Sequence, residues 1–198
     1  MSLVKTTYSK SDVTVLLKDV TGLMEPIDTK EREKLIQSGT HYSEMLPLEY
    51  KPTKKYMEIY EQELKSNAHI TAVAVANLGD KLYKIKGKNI VLISLARAGT
   101  PIGILLKRYL KMAYYVDVPH YSISIIRGRG IDINALKYIM AAESLKNDTN
   151  RFQFVDGWIG KGAIQRELNN SVDEFYYQEG ILLDRNLAVL SDPRKYST

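Results

Sequence analysis

The chain has 198 residues, 44% hydrophobic and 26% charged, with a net charge of +5. That is ordinary for a globular protein and bounds the reading to one domain with at most a small appendage. Cysteine is absent, which excludes disulfides, thiolate metal sites and a cysteine nucleophile from these residues. The start, Met1-Ser2-Leu3-Val4-Lys5-Thr6, lacks the apolar core of a signal peptide. No apolar run approaches the roughly 20 residues of a membrane span, so no membrane partner and a cytoplasmic setting are expected. The positive charge suits an anionic small molecule, with nucleic acid as the weaker alternative.

Residues 1–50 read as an irregular hood. Ser11-Asp12 is placed to cap a short segment through Leu16-Leu17, and Thr29 precedes a short helix over 31–36 that ends at Gly39. Pro52 opens a helix carrying Tyr56, Ile59, Tyr60 and Leu64 at helical spacing. A second helix is expected over 69–82, with Ile70, Val73, Ala74, Leu78 and Leu82 as its stripe. Residues 1–85 thus form an N-terminal, largely helical cap, and residues 86–198 the core.

The core opens on Ile90-Val91-Leu92-Ile93-Ser94-Leu95, a β-rich run typical of a strand buried on both faces. Thr100 and Pro101 are placed as N-cap and first residue of the next helix. A strand follows over 118–126, then a helix over 134–143 capped by Asp132, then a strand over 152–155. A helix from Ala163 and a strand over 187–190 complete the chain. This alternation predicts an α/β fold with a mostly parallel central sheet flanked by helices.

Three of these strands end in loops suited to anions, and in a parallel sheet such ends share one edge. The first loop is Ala96-Arg97-Ala98-Gly99-Thr100. The second, Arg127-Gly128-Arg129-Gly130, has no obvious acidic partner nearby and is expected to be mobile. The third, Asp156-Gly157-Trp158-Ile159-Gly160-Lys161-Gly162-Ala163, joins a strand to a helix N-terminus, where unpaired backbone N–H groups favour anions. It is not a Walker A loop, because Gly162 follows Lys161 where Ser or Thr is required. Taken alone, such a turn is as often merely structural, and Trp158 serves equally as a packing anchor or a stacking surface.

The segments over 8–13, 37–46, 94–101, 120–132 and 154–168 together resemble a phosphoribosyltransferase-like family associated with bacterial tellurium-resistance and stress operons. Its fold would be that of a type I phosphoribosyltransferase. The resemblance implies displacement of pyrophosphate from phosphoribosyl pyrophosphate (PRPP), accompanied by Mg²⁺, with an unidentified acceptor. It makes Ala96, Arg97, Ala98, Gly99 and Thr100 the pyrophosphate loop and Arg127 and Arg129 catalytic-loop groups. Asp156 would face the ribose, and Gly157, Trp158, Gly160, Lys161, Gly162 and Ala163 would bind PRPP or its phosphate; no protein metal ligands are expected. Gly157 replaces the second acid of that family's usual loop, which favours a PRPP- or nucleotide-sensing module as an alternative. An RNA-binding protein with a vestigial pocket is the third reading. Some members carry a cysteine-protease name, a chemistry that a chain without cysteine cannot use. Members also continue well past the equivalent of residues 187–193, which leaves open a missing C-terminal part of the site.

Overall fold

The computed structural model describes residues 6–145 and 148–195. Its elements in chain order are β1 (Thr14–Val15), β2 (Pro26–Ile27), α1 (Thr29–Gln37), β3 (Leu46–Pro47), α2 (Lys54–Lys86), β4 (Val91–Ala96), α3 (Gly99–Tyr114), β5 (His120–Ile126), β6 (Gly130–Ile131), α4 (Ile133–Ala142), β7 (Phe152–Val155), α5 (Ala163–Glu179) and β8 (Leu187–Ala188). Two compact units are distinguished, one of Met1–Leu17 with Ile70–Thr198 and one of Lys18–His69.

The larger unit is built on a sheet of order β1-β5-β4-β7-β8. Each neighbouring pair along that path is parallel, and β6 pairs antiparallel with β5 at its far end. β4 lies in the middle because all its residues but the last are buried. Its side chains alternate between two cores. Val91, Ile93 and Leu95 join Ile123, Phe152 and Phe154 against Leu136 and Ile139 of α4 and Leu168, Val172 and Phe175 of α5. Leu92 joins Ile90, Val118 and Val155 against Leu106 and Leu110 of α3 and Val75 and Leu82 of α2. Apolar burial on both faces is what a parallel sheet demands. The expected α/β architecture is therefore present, with β4 and β7 in register at Val91–Phe152 and Ile93–Phe154.

Three local expectations change. Thr14–Val15 pairs with Tyr121–Ser122, so part of the N-terminal stretch read as hood is a sheet strand. The two helices expected over 52–64 and 69–82 are one helix, α2. Ser66 and Asn67 between them do not cap a new start; both side chains donate back to the carbonyl of Glu63 one turn earlier, a bond compatible with continuing the helix. Thr100 does not cap α3 either. The helix already begins at Gly99, and the Thr100 hydroxyl is 2.7 Å from Ser122 Oγ in the buried interface with β5. Asp132 does cap α4, accepting from the Ala135 N–H.

In the smaller unit, Asp28 caps α1 by accepting from the Glu31 N–H, and β2 and β3 form a short parallel pair. Among the described residues, no helix is long and apolar enough to cross a membrane.

Candidate functional site

The carboxyl ends of β4, β5 and β7 open onto two adjoining depressions. The first, about 490 Å³, is lined by Ala98, Arg127, Asp156, Trp158, Ile159, Gly160, Lys161, Gly162, Ala163, Ile164 and Arg194. The second, about 480 Å³, runs past Tyr8, Leu95, Ala96, Arg97, Pro101 and Ile125 and shares Ala98, Asp156 and Ile164 with the first. The convergence expected from a parallel sheet is thus present, and Asp156 stands where the two lobes meet.

Asp156 is held there by backbone geometry. Its N–H donates to Ala188 O of β8 at 2.9 Å, which carries the β7 ladder one residue past the strand. Its carboxylate accepts from the Gly157 N–H at 2.7 Å. The residue is 8% exposed, and burial pushes its carboxyl above the ordinary range against the pull of that one N–H. A raised carboxyl binds protons more readily folded than unfolded, so it weakens the fold as pH rises through its folded value. Asp156→Asn, which keeps the oxygen facing Gly157, is therefore expected to be more stable than the parent at pH 7. That advantage should fade as pH falls into the acid range where Asp156 is protonated in both states. Urea denaturation of both proteins across pH checks this; an advantage that grows on acidification would sink it.

The first lobe, which Asp156 lines, is also lined by Arg127, Lys161 and Arg194. No side chain caps α5: its N-cap is Gly162, in the left-handed region at φ 71°. The first-turn amides of α5 therefore rely on other acceptors, and the residues around them line the lobe. Trp158 is 64% exposed and Gly160 lies against its ring, where a Cβ would come within 2.9 Å.

The other expected site residues divide by position. Arg97 lines the second lobe with Ala96 and Ala98. Gly99 and Thr100 are buried in the start of α3 and line neither lobe, nor do Gly157 and Arg129. Arg127-Gly128-Arg129 is the turn of the β5–β6 hairpin, and Gly130 opens β6 opposite Ile126. Contrary to the sequence expectation this stretch has an acidic partner: the Glu167 carboxylate of α5 accepts from the N–H groups of Gly128 at 2.8 Å and Gly130 at 2.9 Å. Sequence reading missed Glu167 because it lies 37 and 39 residues from those glycines. Tyr8, Ile159 and Arg194 were missed as well; Tyr8 and Ile159 lie inside segments that carry the resemblance, and Arg194 lies outside them.

One pair elsewhere has the spacing of a nucleophile and its base. Ser94 Oγ lies 2.8 Å from His120 Nε2, and His120 Nδ1 lies 2.8 Å from Asp12 O. Ser94 is 0% and His120 4% exposed, and neither lines either lobe. Buried away from both lobes, the pair fastens α3 and the β1 region to the sheet.

Fold and cleft together define an α/β protein with a cationic cleft at the carboxyl edge of a parallel sheet. The family described as "Tellurite-like stress resistance cysteine protease StiP" matches residues 6–198, and the chain belongs to that family. A curated relative, "Cysteine protease StiP" of Acinetobacter baylyi (strain ATCC 33305 / BD413 / ADP1), is 43% identical over 166 residues, which are 83% of this chain and 42% of the relative. The chain thus spans less than half the length of that relative. No solved structure matches.

These findings correct the resemblance drawn from sequence. The association with tellurite-like stress resistance stands, but the family and the relative are named for a cysteine protease, a hydrolase. The phosphoribosyltransferase family, pentosyl transfer from PRPP and the transferase class are overturned, and the sensing and RNA-binding alternatives have no support. The physical reason is that a strand, an acid and a glycine turn before a helix recur at the edge of many parallel sheets, so they locate a cleft without specifying a reaction. The resemblance implies Mg²⁺ only as a companion of PRPP and not as an ion held by protein side chains. Among the described residues no three His, Asp or Glu side chains cluster closely enough to hold a metal.

Proposed function

We propose that this chain serves the stress resistance of its family as a ligand-binding α/β unit, and that its cleft receives an anionic group of the ligand. The observation that carries this reading is the lining of the first lobe, which holds three cations, Arg127, Lys161 and Arg194, against one carboxylate, Asp156. Opposite charge at a concave site concentrates anions, and the uncapped start of α5 adds N–H donors beside the cations. The protease activity in the relative's name needs a thiolate, and these 198 residues contain no cysteine. In this reading the chain binds and does not by itself cleave peptides through a thiol. The cytoplasm is the proposed setting.

Calorimetric titration with inorganic phosphate tests the binding. The parent should bind, and Lys161→Ala should weaken binding about fivefold at low salt, with the difference shrinking as salt screens the exposed lysine. Heat no larger than dilution for the parent would remove the anion site. A fluorogenic peptide mixture incubated with the purified chain and a reductant should remain uncleaved; turnover above the blank would overturn the division between binding and cleavage.

A further inference from the structure

The β5–β6 hairpin and the floor of the cleft are tied together by α5. Glu167 sits one turn into that helix, and its two carboxylate oxygens take one N–H each, from Gly128 and Gly130. One turn later, Ser171 Oγ accepts from the Ile131 N–H at 3.1 Å and donates to Glu167 O at 2.8 Å. Three successive attachments thus bind one face of α5 to the hairpin. The close approach depends on Gly130: at φ 77° it adopts a left-handed conformation, and a Cβ there would lie 3.1 Å from Ser171 Oγ. The first residues of the same helix, Ala163 and Ile164, line the lobe that Arg127 also lines.

We infer that Glu167 is a positioning residue of the cleft, a latch that fixes the hairpin to α5 and so sets where Arg127 stands relative to Lys161 and the start of the helix. The inference rests on the anion-binding reading above and names a residue that acts through Arg127. Glutamate suits the task because one carboxylate offers two acceptor oxygens to two convergent N–H groups. Glutamine keeps the length but has one acceptor, and its NH₂ would face a backbone N–H.

Two measurements test the latch. Hydrogen exchange should be about tenfold faster at Gly128 and Gly130 in Glu167→Gln than in the parent, because an ionic acceptor has been lost. Exchange in β4 and β7 should be unchanged. Inorganic phosphate should bind Glu167→Gln about fivefold more weakly than the parent, yet the same substitution made in Arg127→Ala should cost less than twofold, since the group it positions is already gone. A merely structural role would weaken both backgrounds alike, and that result overturns the inference. Unchanged exchange at both glycines also overturns it while leaving the anion site standing. A parent that fails to bind phosphate removes the anion site, and the positioning role with it.

Discussion

Gly103→Ala is expected to cost about 3 kcal/mol of stability or more, among the largest losses from adding one carbon to this protein. Gly103 lies in α3 over the Ser94–His120 pair, and a Cβ there would stand 2.2 Å from both His120 Nε2 and Ser94 Oγ. Neither atom can move cheaply. Asp12 O only accepts, so His120 Nδ1 carries a proton toward it, and Nε2 of the neutral ring is left to accept. Ser94 Oγ faces both Nε2 at 2.8 Å and Gly99 O at 2.9 Å. Relief requires α3 to lift off the sheet or buried polar groups to lose partners. Guanidinium denaturation measures the loss. Ser94→Ala combined with Gly103→Ala should be less destabilised than the sum of the singles, because the serine oxygen is half of the clash. A mild loss for Gly103→Ala, below about 1 kcal/mol, would show that α3 accommodates the methyl group and that the network does not fix its position.

The same network predicts an acid limb. Burial pushes His120 down to about 4, outweighing its hydrogen bond to the Asp12 carbonyl, while Lys107 adds to the depression and the Asp12 carboxylate opposes it. Between that value and the unfolded value near 6.5 the unfolded chain binds the extra proton, so stability contributed by neutral His120 is present above about pH 6.5 and lost as pH falls toward 4. The Asp12 carboxylate, held low chiefly by its hydrogen bonds to Arg108, stays ionised through this window.

Lys86→Met should be the other large loss, about 2–4 kcal/mol at pH 7. Lys86 ends α2 with its side chain 6% exposed, pairs with Asp184 and donates to Asn150 O at 2.9 Å. Methionine fills much of the same space but leaves the Asp184 carboxylate without its cation. Burial raises the Asp184 carboxyl, but the hydrogen bond from Lys86, the Asn186 N–H and the charge of Lys86 outweigh it, so the net shift is downward. The pair's contribution is present above the ordinary aspartate value of about 3.9 and lost as pH falls through the lower folded value. The gap between parent and variant should therefore be widest at neutral pH and narrow below about pH 4. Lys86→Met with Asp184→Asn should recover much of the loss, since no unpaired charge remains. A double variant as unstable as Lys86→Met would mean that lost packing, and not the stranded carboxylate, sets the penalty.

The layout of the core could be read from side-chain chemistry alone. Val91–Ala96 and Phe152–Val155 are short apolar runs with the composition of doubly buried strands, and each is followed by small residues and then a helical pattern. Parallel strands require crossovers, so their carboxyl ends must share an edge, and the cleft with Arg97, Arg127, Asp156 and Lys161 follows from topology. What ligand occupies that edge did not follow, because glycine turns and cations at a sheet edge suit many anions and many reactions.

Tertiary structure decided the rest, and in each case the deciding partner lies far along the chain. Thr14–Val15 becomes a strand because β5 offers a free edge more than a hundred residues later. Thr100 gives up the capping role that its local sequence suggests because Ser122 presents a buried hydroxyl across the α3–β5 interface. The Arg127–Gly130 stretch reads as unanchored until α5 brings Glu167 to its amides. Hydrophobic period and turn chemistry act over a few residues and are written locally, so the doubly buried strands β4, β5 and β7 and the helices that follow them were legible from the sequence alone, whereas β1 and the continuity of α2 were not. Hydrogen-bond pairing of buried and convergent polar groups depends on which elements meet in space, so only the fold decided which groups face the cleft and what holds them there.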